Sequence, residues 1–283
     1  MHFTKIPSKV IASALSIVLA MTICAIVPTS ADAATPAKTS ISSLSKAAKS
    51  FTVKWKKNSK ADGYQIRYSA NSNMKTGVKT INASKATVSK KVSSKVKPAT
   101  TYYVQIRVAY KANGKKRYTG WSSKKAVTTL VGSGNSAFDK KIESVLSKKV
   151  KKTGASGLKK AFNYVADLRQ GSTTTASRSG AWTKWSVKYA NDMIGRGQGN
   201  CYQAAALMAW LAKGLGYDAK AVCGTYTGGS GKVNPHGWAE VKIGSKWYIL
   251  DANNQNTANN AGLSLSYFKV SKSSDTGKKY SAE

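Results

Sequence analysis

The spacing of the apolar residues changes once along this chain, and that change commits it to two domains of different class. Up to about residue 131, apolar and polar positions alternate as they do in half-buried strands. The runs are Phe51-Thr52-Val53-Lys54-Trp55, Tyr64-Gln65-Ile66-Arg67-Tyr68 behind an Asp62-Gly63 turn, Tyr103-Val104-Gln105-Ile106-Arg107-Val108 and Lys125-Ala126-Val127-Thr128-Thr129. Lysines take the solvent positions and blunt the strand edges. Short strands at this spacing predict a β-sandwich over 34–131.

Beyond residue 139 the apolar spacing becomes helical, over 139–150, 157–168 and 182–193. It is clearest over 202–213, where Ala204, Leu207, Met208, Leu211 and Leu215 follow the i, i+3, i+4, i+7 rule and Gly214 and Gly216 end the helix. Strands are expected over 219–224, 237–243 and 246–252, the last two joined by a Gly244-Ser245 hairpin turn. Helices followed by strands predict an α+β domain over 139–283. Between the halves, Gly132-Ser133-Gly134-Asn135-Ser136 reads as a flexible joint within a linker at 132–138.

Residues 1–33 have the three parts of a secretory signal peptide: basic Lys5 and Lys9, an uncharged apolar run from Val10 to Val27, and the small-x-small site Ala31-Asp32-Ala33. The expected product is a secreted chain, extracellular or cell-wall associated, with no membrane span after cleavage. Cleavage removes His2 and Cys24, so one histidine, His236, and two cysteines, Cys201 and Cys223, remain. Two cysteines exclude a disulfide-dense scaffold and a multi-cysteine zinc site. With one histidine and no paired acids around it, neither a metal nor another cofactor is expected.

The chemistry therefore rests on few side chains. Cys201 opens the clearest helix behind Gly195, Gly197 and Gly199. Unpaired N–H groups and the positive end of the helix dipole favour a thiolate there. His236 heads the strand His236-Gly237-Trp238-Ala239-Glu240-Val241. If the Gly244-Ser245 turn sets the register, Ile243 faces Lys246, Trp238 faces Asp251 and His236 faces Asn253. His236 and Asp251 then lie on one face as diagonal neighbours, roughly 7–8 Å apart. A carboxylate so placed can hold the Nδ1–H, orient the ring and stabilise imidazolium. A one-residue slip would move Asp251 to the other face. Cys223 reads as a buried structural thiol, with a disulfide to Cys201 as the rival.

Two resemblances emerge from these residues. Trp55, Gly63-Tyr64, Pro98-Ala99-Thr100-Thr101-Tyr102-Tyr103 and Trp121-Ser122 resemble a fibronectin type III domain, which implies that Tyr102 or Tyr103 is a corner tyrosine bonded to the backbone. With neither Cys nor His and a single acid, Asp62, this half is expected to be a spacer or adhesion module. Gly199-Asn200-Cys201-Tyr202, the helix ending at Gly214-Leu215-Gly216-Tyr217, Pro235-His236-Gly237-Trp238 and Lys246-Trp247-Tyr248-Ile249-Leu250-Asp251 resemble the transglutaminase-like superfamily. That resemblance implies a papain-like fold, with Cys201 as nucleophile, His236 as general base and acid, and Asp251 as the orienting carboxylate. It implies cleavage or transfer of peptide amide bonds through a thioester. The Cys201 N–H is the first oxyanion donor, and an upstream aromatic, Trp182 or Trp185, is a candidate for the second.

The formal charge of +35 is carried mostly by lysine; only six of the 46 basic residues are arginine. Bidentate phosphate contacts and base reading favour arginine, so sequence-specific nucleic-acid binding is not expected. The expected partners are a protein or peptide substrate, with a cell-wall peptide among the candidates, and an anionic cell-surface polymer held by the long-range field. The alternative is a catalytically inert wall- or surface-binding protein that uses the same fold as a scaffold.

Overall fold

The computed structural model describes residues 34–171, 178 and 180–283. The expected signal peptide at 1–33 lies outside the described residues. Among the described residues no helix is long and apolar enough to cross a membrane.

The first domain is an all-β sandwich. Its strands are β1 (Ile41–Lys46), β2 (Phe51–Trp55), β3 (Gly63–Ser69), β4 (Lys79–Ser84), β5 (Ser89–Val92), β6 (Thr101–Ala112), β7 (Lys115–Tyr118) and β8 (Lys125–Thr128). One sheet runs β1-β2-β5. The other runs β4-β3-β6-β7, with β8 also pairing β6. β2 turns Phe51, Val53 and Trp55 inward against Tyr64, Ile66 and Tyr68 of β3 and Val104, Ile106 and Val108 of β6. Tyr102 is the corner tyrosine: its hydroxyl accepts the Lys97 N–H at 2.9 Å. Tyr102 is buried with the core, whereas Tyr103 is only half-buried, because successive side chains point to opposite faces.

The joint between the domains is held rather than free. The buried Asp139 carboxylate accepts the N–H groups of Gly132 and Ser133, at 3.2 and 2.9 Å. Asn135 caps the first helix through the Phe138 N–H, so helix α1 (Ser136–Val145) begins inside the expected linker. Lys46 of β1 is ion-paired with Glu143 of α1 at 2.6 Å.

The second domain continues with a π turn (Leu146–Val150), α2 (Gly154–Ala166), β9 (Arg169–Gln170), α3 (Trp182–Arg196), β10 (Gln198–Gly199) and α4 (Cys201–Gly214). Then come β11 (Asp218–Thr227), β12 (Val233–Ile243), β13 (Lys246–Leu250), α5 (Ala252–Asn260), β14 (Val270–Ser271), a 3-10 turn (Gly277–Lys279) and β15 (Tyr280–Ala282). The large sheet runs β14-β13-β12-β11-β15.

Helix α4 is buried on every side from Gln203 to Ala212, not along a single stripe. Its alanines bring α3 and the sheet close, and a helix apolar all round belongs at a domain centre. The hairpin register is the expected one, from Ile243 opposite Lys246 to Ala239 opposite Leu250. β13 stops there, however. Asp251 takes up the N-cap of α5, and this turn into helix replaces the expected pairing of His236 with Asn253.

Candidate active site

Cys201 is the first residue of α4. Asn200 caps the helix: its side-chain oxygen accepts the N–H groups of Tyr202 and Gln203, at 3.1 and 3.2 Å. The Gln203 side chain in turn accepts the Asn200 N–H at 3.0 Å, which completes a capping box. The cap uses the second and third amides of the first turn and leaves the Cys201 N–H outside it. Cys201 is half-buried and carries a free thiol, as does Cys223.

His236 stands on β12 where β13 no longer pairs with it. Pro235, which cannot donate to a ladder, is tolerated at this open edge. The His236 Nε2 lies 2.7 Å from Asp251 Oδ2, and both side chains are buried. The sequence-based expectation gave the other ring nitrogen, Nδ1, to the carboxylate. With Nε2 engaged by Asp251, Nδ1 is the nitrogen left to face Cys201, which together with Asp251 favours the charged ring. Burial, the strongest single influence, disfavours imidazolium. The Asp251 charge and hydrogen bond, with those of Cys201, outweigh it and raise the His236 pKa to about 10.

Asp251 is fixed on both oxygens. Oδ1 accepts the Asn254 N–H at 3.0 Å as the helix cap, and Oδ2 accepts the Tyr280 hydroxyl at 2.8 Å as well as His236. Tyr280 lies 29 residues beyond Asp251 in a three-residue strand, and nothing in the local pattern marks it. The imidazole sits among the rings of Tyr226, Tyr280 and Trp238, with centroids at 5.7, 6.3 and 6.5 Å.

Trp182 and Trp185, the candidates for a second oxyanion donor, line a cavity with Arg178 and Cys223. Trp182 packs on Trp210 at 4.9 Å between centroids. Trp210 is nine residues up α4 from Cys201, roughly 13 Å along the axis. Trp185 is buried edge-on against Tyr189, one turn further along α3. The start of α3 thus meets the far end of α4, and Trp182 stays half-buried there.

A second residue that sequence reasoning missed is Arg178, whose guanidinium lies 3.6 Å from the Tyr202 ring centroid. Burial pushes the Cys223 thiol up, against the charge and hydrogen bond of the same arginine. Among the described residues, no three His, Cys, Asp or Glu side chains cluster so as to hold a metal ion.

Residues 143–252 match the transglutaminase-like superfamily model, and residues 35–125 match the fibronectin type III domain. The chain carries a transglutaminase-like domain behind a fibronectin type III domain. The fibronectin type III part is similar to solved structures. One is the FN1-FN3 fragment of chicken CNTN1 (24% identity, 32% of this chain and 29% of that fragment, TM-score 0.28). Others are the fn3 domain of human contactin 1 (14%, 34% and 82%, TM-score 0.27) and an FN3 domain of human collagen XX (20%, 34% and 93%, TM-score 0.27). The chain thus spans less than a third of the chicken fragment. No curated protein matches it. The transglutaminase-like match begins inside α1 and ends at the first residue of α5, so it takes in Cys201, His236 and Asp251 but stops short of Tyr280.

Proposed function

We propose that this chain is a cysteine enzyme that cleaves or transfers peptide amide bonds, with Cys201 as nucleophile, His236 as acid and base, and Asp251 as orienting carboxylate. One observation carries the reading: the 2.7 Å bond between His236 and Asp251, in an imidazole whose other nitrogen is left to a thiol at a helix N-terminus. A buried imidazolium beside a sulfur is the arrangement that supplies thiolate and a proton donor together.

The steps follow from those groups. The sulfur forms a bond to the amide carbon, and the carbonyl oxygen becomes an oxyanion facing the Cys201 N–H. The C–N bond breaks as the imidazolium gives its proton to the leaving nitrogen, and a thioester remains. Water or a lysine amine then gives a proton to His236 and attacks the thioester carbon, and the C–S bond breaks to restore the thiolate. Water completes hydrolysis and an amine completes transamidation. The chain's excess of lysine suits export to an anionic wall polymer, from which salt should release it.

The test is turnover of a glutamine-containing peptide by the wild type and by Cys201→Ala. Loss of turnover in the variant supports the enzyme. No turnover by either chain leaves the inert wall-binding reading, and equal, measurable turnover by both refutes Cys201 as the nucleophile.

A further inference from the structure

We infer that Tyr280, on the last strand, is a positioning residue for the His236–Asp251 pair, and so that the edge strand β15 is part of the working site. The inference rests on the reading of His236 and Asp251 given above. The Tyr280 hydroxyl donates to Asp251 Oδ2 at 2.8 Å, the same oxygen that holds His236 Nε2 at 2.7 Å. The hydroxyl itself accepts from the Asn254 side-chain amide at 3.4 Å. The carboxylate is thereby clamped: the Asn254 N–H fixes Oδ1, and the phenol fixes the side of Oδ2 that the imidazole leaves open. Without the phenol, Oδ2 has one donor fewer, and the carboxylate plane can turn about its Cβ–Cγ bond.

The fold gives the hydroxyl little freedom. The Tyr280 ring stands 4.8 Å from that of Tyr226 and 5.0 Å from that of Trp238. Tyr280 pairs with Tyr226 across the β11–β15 ladder. That ladder exists because Gly224 has no side chain: a Cβ there would meet the Ser281 carbonyl oxygen at 2.0 Å and the Ala282 Cα at 2.9 Å. Burial and the neighbouring Asp251 charge hold the Tyr280 hydroxyl well above the usual phenol range, so it remains a neutral donor. The titratable groups around it are Tyr226 from β11, His236 from β12 and Asp251 at the cap of α5, with Tyr267 beyond them, its hydroxyl 3.2 Å from that of Tyr226.

The experiment compares the full chain with Tyr280→Phe, which keeps the ring, and with Tyr267→Phe as a control one layer out. Three quantities are read: the proton resonance of His236 Nε2–H, the rate of Cys201 alkylation by iodoacetamide, and kcat and KM on a glutamine-containing peptide. In Tyr280→Phe the resonance is expected to move downfield as Oδ2 tightens on its remaining donor. Alkylation slows, and kcat falls about tenfold with KM unchanged, the scale of one hydrogen bond to a charged group. Tyr267→Phe leaves all three as in the wild type.

Unchanged resonance and kcat in a folded Tyr280→Phe overturn the inference. If that variant does not fold, 3-fluorotyrosine at position 280, a stronger donor, is expected to shift the resonance upfield, and no shift overturns the inference equally. The resonance needs no turnover. A wild type without activity whose resonance still responds at position 280 supports the positioning role and refutes the enzyme reading alone.

Discussion

Gly237 and Tyr202 meet with no room for a side chain between them: a Cβ on Gly237 would lie 2.7 Å from the Tyr202 ring and 3.1 Å from its Cα. Each residue follows a site residue by one position, Gly237 after His236 and Tyr202 after Cys201. The contact therefore sets how closely the histidine strand approaches the start of the cysteine helix.

Adding one methyl group at Gly237 should separate thiol and imidazole. A displacement near 1 Å at a reacting pair costs on the order of 10²-fold in rate, and overpacking costs about 1–3 kcal/mol of stability. Gly237→Ala is expected to lower kcat by that order while the chain stays folded at 25 °C. Iodoacetamide kinetics at Cys201 beside a melting curve separate the two effects.

Asp251→Asn isolates charge from capping. Asparagine caps helices as well as aspartate does, so α5 should keep its start and stability should change little from that source. The imidazole, however, loses the largest of the influences that together outweigh its burial. Its pKa should fall from about 10 to below the ordinary histidine value of 6.5, and turnover should fall on the order of 10³–10⁴-fold, as in other triads that lose this charge. A titration of the His236 ring by NMR reads the first change directly. A pKa that stays near 10 would show that Asp251 is not the group holding the proton.

The same imidazole makes stability depend on pH. Below pH 6.5 both folded and unfolded chains carry the proton, and the stabilisation is fully present. Between 6.5 and about 10 the unfolded chain has lost the proton and the folded chain keeps it, so the stabilisation drains away as pH rises. Urea unfolding at intervals from pH 6 to 9 should show declining stability in the wild type and a flatter profile in Asp251→Asn. Stopping short of the ordinary tyrosine range keeps unfolded-state phenols out of the comparison.

Much of this site was legible before any coordinates. The Gly244-Ser245 turn sets the hairpin register from Ile243 opposite Lys246 to Ala239 opposite Leu250, which carries Asp251 toward the His236 face, and a one-residue slip would reverse that face. A cysteine at a helix start behind glycines was equally plain. What the sequence hid was long-range or non-periodic. Tyr280 reaches Asp251 from an edge strand that only Gly224 lets dock. Asp139 turns a glycine-serine stretch into an anchored corner through two backbone bonds. The ring nitrogen facing Asp251 depends on rotation about two side-chain bonds, which register alone does not determine. Trp182 and Trp185 are apolar residues at helical spacing, and their ring partners Trp210 and Tyr189 are set by packing between and along helices that no local pattern shows.

The first domain offers an internal control. Tyr102→Phe removes the corner bond to the Lys97 N–H and should cost about 1–2 kcal/mol, since a part-buried backbone donor loses its partner. Calorimetry should place that loss in the sandwich transition, and alkylation of Cys201 should be unchanged. A parallel drop in Cys201 reactivity would mean that the two domains are energetically coupled through the Asp139 corner.

The most direct trial of the central claim is intact-mass analysis of acid-quenched chain after mixing with a glutamine-containing peptide. The account predicts a transient adduct of the peptide mass less ammonia, mapped to Cys201, stable in acid and cleared by hydroxylamine as a thioester. It predicts no adduct in Cys201→Ala and slow accumulation in His236→Ala. An adduct on Cys223 instead, or peptide turnover with Cys201 never modified, would contradict it.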